Sequence, residues 1–408
     1  MPQPLVHLSE VSVRRGMKMV LNSISLSVYS GEVHLLKGRN GSGKSTLIET
    51  MVGLSPLETG KVEHRGHLLI DAEGRRKRSP LSVGVTLQSD GVLGSETVDE
   101  HIRTSVGMYG RDIEFEPFLK EFQLLHRQHD MVSTLSAGQR RKVAILSSLL
   151  PAFSSTDATC VVLDEPDAGL DENSINVLSR WCRQLNTKGH AIVLSTHQSC
   201  FDELATHTHL FEETLTTTTQ EHDVEGTHPE IKGRDSPTIT STRFGLQQQF
   251  RTMSWLHHNV LAGILSLGVM MAILTLPLEP EEMETVGFIL IPAMAAGLCG
   301  DALVSMLREE RSLQWWKATA HSIPHSSWLP FAFGGLLTSL SSATLSGFDG
   351  ISGELILAGT LICGCVAHLM RMIQIQVERL ARPHAVFIGL LTPVLILPFA
   401  VIVDMFSK

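Results

Sequence analysis

The sequence predicts two domains of different class, an α/β domain followed by an all-α polytopic transmembrane domain. Charged residues are unevenly spread, with 56 Asp, Glu, Lys and Arg in positions 1–250 and only 19 in positions 251–408. Short strand-like and helix-like segments alternate as far as about residue 212, which favours an α/β layer architecture. From position 255 onward long apolar runs follow one another, and a membrane-spanning helix needs ~17–25 mostly apolar residues.

Composition narrows the classes of partner and site. The net charge is −9 and both parts are mildly acidic, whereas nucleic-acid binding needs a clustered basic face. We therefore expect no nucleic-acid partner. Six cysteines with no CxxC pair argue against a disulfide scaffold or a zinc site. The first residues lack the long apolar run and cleavage site of a secretory signal.

We expect three segments along the chain. Residues 1–213 form the α/β domain, residues 214–250 a polar linker, and residues 251–408 the membrane domain. The linker is rich in Thr and charge and nearly free of large apolar residues. About five helices are expected in the membrane domain, at 258–276, 286–307, 328–348, 353–375 and 383–404. The third is the weakest because it is full of Ser, Thr and Gly; the alternative, a set of buried core helices, would need polar faces that these runs lack.

The loops between these helices predict their orientation. Loops 277–285 and 349–354 contain no Lys or Arg, whereas loops 308–330 and 371–382 contain three each. Because cytoplasmic loops are enriched in basic residues, the α/β domain is expected in the cytoplasm and the last helix is expected to end outside.

A glycine-rich loop lies between a strand-like run and a helix. It fits the pattern GxxxxGK[ST], and its residues are Gly38, Arg39, Asn40, Gly41, Ser42, Gly43, Lys44, Ser45 and Thr46. Glycines let the backbone amides turn inward around a phosphate chain. Lys44 would then meet the β- and γ-phosphates, and the Ser45 hydroxyl would reach Mg²⁺. The loop predicts a P-loop NTPase that uses ATP and Mg²⁺.

A second motif is a buried strand, residues 160–163, that ends in two carboxylates. Asp164 is expected to hold Mg²⁺, and Glu165 to act as the general base that polarises the attacking water. An apolar run followed by Asp-Glu is weak evidence for such a site by itself, but it is stronger evidence when a phosphate loop precedes it in the chain.

Four further segments, in register with these two motifs, resemble the ATP-binding cassette (ABC) family. Gln88 matches its Q-loop, residues 168–171 its D-loop, and residues 195–197 its switch histidine. The signature LSGGQ is matched by Leu135, Ser136, Ala137, Gly138 and Gln139. The resemblance covers roughly residues 5–212.

The resemblance implies a head-to-tail pair of cassettes, so a second copy of this chain is the expected partner. Each ATP would lie between one phosphate loop and the partner's segment 136–139. His197 would hold the γ-phosphate and the attacking water, Gln88 would contact the metal and couple the site to the membrane part, and Asp171 would join the nucleotide site. Where cassettes commonly stack an aromatic on adenine, this chain has residues 13–16, Val-Arg-Arg-Gly, so an arginine is the alternative platform.

Within the family, the cassette resembles the ATP-binding subunit of the haem exporter of cytochrome c maturation. Residues 306–314 and 391–398 resemble its permease subunit more loosely. The implied function is an ABC half-transporter in haem export, working with other cytochrome c maturation subunits in the bacterial inner membrane or, alternatively, the mitochondrial inner membrane. Two rivals stay open: export of a lipid, glycan or drug, and a mechanical ATPase that releases a haem-chaperone partner.

Two smaller features each have two interpretations. The segment around Trp315 and Trp316 has two compatible interpretations, an interfacial helix at the inner membrane surface and a loop that docks on the cassette. His368 is either a haem ligand or a hydrogen-bonded histidine at a helix interface, and the second is favoured.

Overall fold

The computed structural model describes residues 2–211, 215–219, 233–274, 282–320, 322–325, 328–346, 352–377 and 384–407. The expected linker positions 214 and 220–232 and the expected helix ends 275–276, 347–348 and 383 lie outside these residues. The chain divides into two compact units. The first comprises Met1–Thr240 with Glu310–Ile323, and the second comprises Ser241–Glu309 with Pro324–Lys408.

The strands found among the described residues all lie in the first unit; they are β1 Val6–Arg15, β2 Lys18–Val28, β3 Val33–Gly38, β4 Thr59–His64, β5 His67–Asp71, β6 Val83–Thr86, β7 Arg111–Asp112, β8 Cys160–Asp164, β9 Ala191–Ser195, β10 His207–Phe211, β11 Leu215–Thr219 and β12 Arg234–Asp235. The α-helices are α1 Lys44–Met51, α2 Val98–Gly107, α3 Glu116–Glu121, α4 Ala137–Ser154, α5 Glu172–Thr187, α6 Ser241–Thr252, α7 Leu261–Leu274, α8 Glu282–Leu298, α9 Ala302–Glu309, α10 Leu313–Thr319, α11 Leu329–Ser346, α12 Gly353–Gln376 and α13 Ala385–Ser407.

Two main sheets build the first unit. A six-stranded sheet has the order β11-β10-β3-β9-β8-β6, in which the five strands β10 to β6 are parallel and β11 is antiparallel. A four-stranded antiparallel sheet has the order β2-β1-β4-β5. Parallel strands covered on both faces read as continuous apolar runs, and the Val161–Leu163 and Ile192–Leu194 runs are fully buried in this way. All carboxyl ends of the parallel strands meet at one edge, where ligands bind in such sheets.

The segment expected to be an exposed linker contains regular structure. Strand β11 pairs antiparallel with β10, and β12 pairs with β7. The residues 241–252 form α6, in which the Phe244 side chain is buried. The polar composition predicted a linker at β11, and this prediction was wrong for two reasons. Thr is β-branched and suits a strand, and the hydrogen bonds of a strand ladder involve only the main chain.

The segment Glu310–Ile323 belongs to the first unit although its sequence neighbours belong to the second. Helix α10 packs there through Trp315 and Trp316, whose side chains are 2% and 1% exposed. The Trp315 ring lies 5.5 Å from that of His101, and a Cβ on Gly91 would meet the Trp315 Cβ at 2.8 Å. Both indoles are thus enclosed by protein, as the docking interpretation predicts.

The described part of the second unit is helical. Three of its segments are long and apolar enough to cross a membrane: Leu256–Ile273, Ile289–Glu309 and Gly353–Gln376. A shorter apolar helical stretch spans Ala385–Ile396. Helix α11, the Ser- and Gly-rich run, has 18 residues and is not among these three segments.

The expected single helix at 286–307 is interrupted between α8 and α9. Gly300 takes a left-handed backbone with φ of 68°, which glycine adopts without steric cost. Asp301 then accepts a hydrogen bond from the Leu303 backbone N–H at 3.0 Å, starting the next helix. The Asp301 carboxylate also forms an ion pair with Arg371 and accepts a hydrogen bond from Gln249 Nε2 at 3.1 Å.

Candidate functional site

The phosphate loop begins where β3 ends. Gly38 has φ of 146°, and a Cβ there would meet the backbone oxygen of Phe211 on β10 at 2.5 Å, so the strand packing requires glycine. Gly43, with φ of 116°, is the N-cap of α1. The loop therefore turns directly into the positive end of a helix, as the sequence predicts, and such an end favours bound anions.

A cleft of about 330 Å³ opens over this loop. It is lined by Val20, Asn40, Gly41, Ser42, Gly43, Lys44, Ser45, Thr46, Gln88 and Glu165. The structure thus brings together most of the predicted loop residues with Gln88 and Glu165, which lie far apart in sequence. Val20, on β2, is a lining residue that the sequence analysis did not identify.

Lys44 is held inside the loop. Its Nζ donates hydrogen bonds to the carbonyl oxygens of Gly38 at 2.9 Å and Arg39 at 3.1 Å. Burial lowers the pKa of the Lys44 amino group, while the charges of Glu165 and Asp164 act in the opposite direction. The hydrogen bonds of this buried ammonium go only to neutral carbonyl oxygens. Hydrogen bonds to charged phosphate oxygens would be stronger, so the site favours a bound phosphate.

Asp164 and Ser45 form the donor set expected for Mg²⁺. The Ser45 hydroxyl donates to Asp164 Oδ1 at 3.2 Å, and the Ser195 hydroxyl donates to the same atom at 2.6 Å. Burial raises the pKa of Asp164; these hydrogen bonds act against that shift, and the nearby Glu165 charge adds to it. A divalent cation beside this carboxylate would offset the cost of burying it, and hydroxyl and carboxylate oxygens are ligands that Mg²⁺ accepts. The residues present therefore fit the metal.

Glu165 and His197 are in contact. His197 Nε2 and Glu165 Oε1 lie 3.0 Å apart in a hydrogen bond, and both side chains are partly exposed. The Glu165 backbone is left-handed, with φ of 48°, and its N–H donates to the Ser195 hydroxyl at 2.9 Å. The unusual backbone turns the carboxylate into the cleft while the Asp164 side chain stays on Ser45.

Arg141 is a buried residue of this region that the sequence analysis missed. Its guanidinium donates to the carbonyl oxygens of Asp164, of Glu165 at 2.9 Å and of Leu87 at 2.7 Å. It also pairs with Asp90 at 3.1 Å. One side chain thus connects the end of β8 with the residues on either side of Gln88. In the sequence, Arg141 is marked only by its position in a basic run at the start of a helix, and this pattern does not predict which residue of the run is buried.

The signature segment lies elsewhere in the first unit. Ser136 caps α4 by accepting a hydrogen bond from the Gln139 backbone N–H at 3.3 Å, and Gln139 Oε1 accepts one from the Ser136 N–H at 3.0 Å. A Cβ on Gly138 would meet the Gly169 backbone oxygen at 2.8 Å, so the signature and the D-loop segment touch. Neither Leu135, buried, nor Ala137, exposed, is among the residues that line the cleft.

Asp171 is also outside the cleft lining. It caps α5, accepting a hydrogen bond from the Ser174 N–H at 2.8 Å, and it pairs with Lys142 at 3.0 Å. These bonds, the backbone one first, lower the pKa of Asp171 to about 2. The two arginines of the alternative adenine platform are paired as well, Arg14 with Glu58 at 3.3 Å and Arg15 with Glu49.

Comparisons with known proteins find similarity to ABC transporter proteins in the N-terminal part of the chain. Residues 21–168 match a family model described as ABC transporter. An uncharacterised ABC transporter ATP-binding protein of Rhizobium meliloti (strain 1021) is 30% identical over 185 residues, which cover 44% of this chain and 66% of that protein. The Nod factor export ATP-binding protein I of Rhizobium sp. (strain N33) is 33% identical over 202 residues, covering 48% of this chain and 64% of that protein. The chain thus spans less than two thirds of the length of these relatives.

Two solved structures are similar to part of this chain. The ATP-binding subunit of an ABC transporter has 27% identity and a TM-score of 0.46, covering 53% of this chain and 90% of that one. A dimeric ATP-binding cassette in a post-hydrolysis state, bound to ADP and phosphate, has 18% identity and a TM-score of 0.44, covering 53% of this chain and 100% of that one.

The sheet order, the motifs and the family match make the N-terminal part of the chain an α/β P-loop cassette of the ABC transporter type. A helical region with three candidate membrane-spanning helices follows it. The predicted fold class is therefore confirmed. The relatives reported above are named for Nod factor export or are uncharacterised, and neither name refers to haem.

Proposed function

We propose that the chain is an ATP-hydrolysing ABC half-transporter, with cassette and membrane domain in one polypeptide. The observation that carries the proposal is the cleft that joins the phosphate loop, Gln88 and Glu165, in a chain that also contains apolar helices of membrane-spanning length. Its proposed location is the bacterial inner membrane, with the cassette in the cytoplasm, and the mitochondrial inner membrane is the alternative.

ATP binding falls to the loop and its neighbours. The backbone amides of residues 40–46, which line the cleft, and the Lys44 ammonium would hold the phosphate chain, with the start of α1 adding its positive end. Ser45, Asp164 and Gln88 would hold Mg²⁺, which neutralises charge on the β- and γ-phosphate oxygens when bound.

Hydrolysis falls to Glu165 and His197. The Glu165 carboxylate faces the cleft and would accept a proton from the attacking water as that water approaches the γ-phosphate. His197, within hydrogen-bond distance of the same carboxylate, would orient it and contact the γ-phosphate. Arg141 and Ser195 fix the backbone beneath Glu165, so the base is held before substrate arrives.

The test separates binding from turnover. Lys44→Ala should abolish ATP binding, because no other ammonium lines the cleft among the described residues. Glu165→Gln should bind ATP with similar affinity and hydrolyse it at least about 100-fold more slowly, since it keeps the size of the side chain and loses the base. Equilibrium binding of a labelled nucleotide and phosphate release measure the two effects. Hydrolysis near the wild-type rate in Glu165→Gln would remove Glu165 as the base.

Coupling to the membrane domain would run through the segment Glu310–Ile323. Trp315 packs on Gly91, three residues after Gln88, so a shift of Gln88 on nucleotide binding has a direct route to α10. Glu310 lies beside Gly94 in the same region, with a Cβ on Gly94 meeting Glu310 Oε1 at 3.3 Å. Burial raises the pKa of Glu310, against backbone hydrogen bonds from Gly94 and Ser95.

For the cargo, we propose haem export in cytochrome c maturation, with other maturation subunits as partners. The support is the resemblance of the signature run and of residues 195–198 to that family. His368 gives no added support, because its Nδ1 donates to the Gly364 carbonyl at 2.8 Å. The adjoining cavity has about 10 Å³, room for about one water.

A second cargo class has a specific observation in its favour. Several relatives are named Nod factor export ATP-binding proteins, and they are 28–34% identical to this chain over the matched residues. This favours export of a different substrate, such as a lipid or glycan. A mechanical ATPase that releases a haem-chaperone partner remains the third proposal.

Transport assays distinguish these proposals. The full chain is reconstituted in sealed vesicles with cassettes facing out, and haem accumulation inside is measured with ATP, with Glu165→Gln as the matched control. ATP-dependent haem uptake supports haem export. ATP hydrolysis without haem uptake contradicts haem export. Uptake of a labelled glycolipid would then support another cargo, and its absence would support the mechanical role.

A further inference from the structure

A cluster of three histidines and one glutamate lies at the amino ends of β3 and β10. Glu32 directly precedes β3, His34 is in β3, and His207 and His209 are in β10. The two strands are parallel and His207 is paired directly with His34. The nucleotide cleft opens at the carboxyl end of β3, four residues beyond His34 or about 13 Å along a strand, so the two sites are separate.

Three of these side chains converge. One donor atom from each of Glu32, His34 and His207 lies within 4.8 Å of the other two. Glu32 Oε2 and His34 Nε2 are 2.9 Å apart, and the His34 and His207 rings are stacked with centroids 4.7 Å apart. Ligands of a tetrahedral zinc ion lie roughly 3.3 Å from one another, and an imidazole binds a metal in the plane of its ring, so the half-buried His207 ring must rotate out of its stack with His34 to bind.

The remaining ring nitrogens already have the partners that metal-binding histidines require. His34 Nδ1 is hydrogen-bonded to His209 Nε2 at 2.8 Å, and His209 Nδ1 to the Thr217 hydroxyl at 2.9 Å. His207 Nδ1 is hydrogen-bonded to the Thr206 hydroxyl at 2.9 Å. Such bonds fix the ring orientation and leave Nε2 of both His34 and His207 as the donors.

We propose that Glu32, His34 and His207 bind a divalent transition metal of the zinc type, with solvent in the fourth position. Two imidazoles and one carboxylate form a donor set that suits zinc, and the partly exposed Glu32 and His207 leave a path for the ion to enter. Cysteine spacing alone argued against a zinc site, but the donors here are histidines brought together by strand pairing.

The metal would tie β10 to β3, the neighbouring strand that carries the phosphate loop. Strand β10 pairs with β3 from His207 to Phe211, and Phe211 is opposite Gly38 at the start of the loop. Strand β11 pairs with the other side of β10. Bound zinc would therefore stabilise β10 in the cassette, an effect visible as a change in thermal stability without any measurement of ATPase activity.

The test uses the full chain in detergent, nucleotide-free, with any polyhistidine tag removed. Equilibrium dialysis against Zn²⁺ should give one ion per chain, and zinc at 100 times its Kd should raise the Tm of the cassette by about 5 °C or more. His207→Ala and Glu32→Gln should lose both effects. His129→Ala, at an exposed histidine outside the cluster, should retain both.

The variants also protect the test against misfolding. Without metal, the Tm of His207→Ala and of Glu32→Gln must match that of the wild type. Because both side chains are partly exposed, we expect these substitutions to change the metal-free Tm little. Co²⁺ in place of zinc should give the visible absorption of a four-coordinate ion in the wild type and lose it in His207→Ala. A wild-type chain that binds no zinc, or binding that survives both substitutions, would overturn the proposal.

Discussion

Single buried polar residues decide how the first unit holds its site. Arg141 joins three carbonyls and Asp90 with one guanidinium, and the Glu165 backbone keeps a left-handed conformation beside it. A guanidinium suits this role because its five N–H donors lie in a rigid plane. His190 has a comparable place at the opposite end of β8, where its Nδ1 accepts hydrogen bonds from the Thr159 backbone N–H at 3.1 Å and its hydroxyl at 2.9 Å.

The first prediction concerns His190 and pH. Burial and the charge of Lys188 lower the pKa of His190 to about 4 from an ordinary 6.5. The unfolded chain therefore binds this proton more readily, and stability that is complete above pH 6.5 is lost as the pH falls from 6.5 towards 4. The loss approaches about 1.4 kcal/mol per pH unit for this one group.

His190→Asn provides the check. Asparagine can accept the same hydrogen bonds from Thr159 and does not titrate, so the cassette Tm measured from pH 7.5 to 5 should fall less steeply than in the wild type. The share due to His209, whose pKa is also lowered, should remain. An unchanged slope in His190→Asn would contradict the assignment.

At the scale of elements, α11 and α12 pack closely through small residues. A Cβ on Gly334 would meet Cys363 Cβ at 2.5 Å, and one on Gly359 would collide with the Thr338 side chain. Thr338 is fully buried, and its hydroxyl donates back to the Gly334 carbonyl at 2.8 Å. Small residues at such interfaces let helix backbones approach in a membrane, where no hydrophobic effect drives helices together. The Ser- and Gly-rich composition that made α11 look like a weak span is thus a packing feature.

The second prediction compares two glycines in helices. Gly359→Ala should destabilise the second unit by roughly 1–3 kcal/mol, because the new methyl group overpacks against Thr338. Gly268→Ala, in α7, should be neutral or stabilising by up to about 1 kcal/mol, because a Cβ there meets nothing within 4 Å. Thermal unfolding in detergent measures both.

A third variant identifies the cause. Adding Thr338→Ala to Gly359→Ala removes the colliding atoms and should recover much of the lost stability. Equal Tm values for Gly359→Ala and Gly268→Ala would show that this contact does not limit the helix pair.

At the scale of the whole molecule, we infer from the positions of the cleft and the signature segment that the cassette pairs with a second copy. The cleft collects the phosphate loop, Gln88 and Glu165, whereas the capped Ser136–Gln139 turn and Asp171 lie outside its lining. An exposed helix start that carries no part of its own cleft is free to complete the cleft of a partner. In a two-fold dimer this would form two composite sites, each with one contribution from each chain.

The third prediction tests this shared site. A Lys44→Ala chain mixed with a Ser136→Arg chain forms dimers with one intact composite site and one doubly altered site. The mixture should hydrolyse ATP at up to roughly a quarter of the wild-type rate, since half of the dimers are mixed and each has one intact site of two. Either variant alone should be inactive.

Two affinity tags isolate the mixed dimers. In a Glu165→Gln background they should retain one ATP per dimer, and each parent none, which reports nucleotide binding without requiring turnover. Isolated mixed dimers that retain no ATP would contradict the shared site.

The local motifs were readable from the sequence because each depends on neighbours in the chain. The glycine loop and its helix, the strand that ends in Asp164 and Glu165, and the apolar spans follow from backbone freedom, strand burial and hydropathy over short windows. The order of the motifs extended this to the cassette fold. The expected linker was the weakest inference, since composition does not register main-chain pairing such as that of β11.

Only the tertiary structure decided which distant residues meet. The seating of α10 against Gly91, the burial of Arg141 among its three carbonyls, and the pairing of His207 with His34 all depend on contacts between segments far apart in the chain. Such contacts depend on strand order and register, and a one-residue shift in register would move each side chain of a strand to the other face of the sheet. No local sequence pattern encodes them. The sequence by itself therefore determined the chemistry that each segment can perform, and the fold decided where those segments act together.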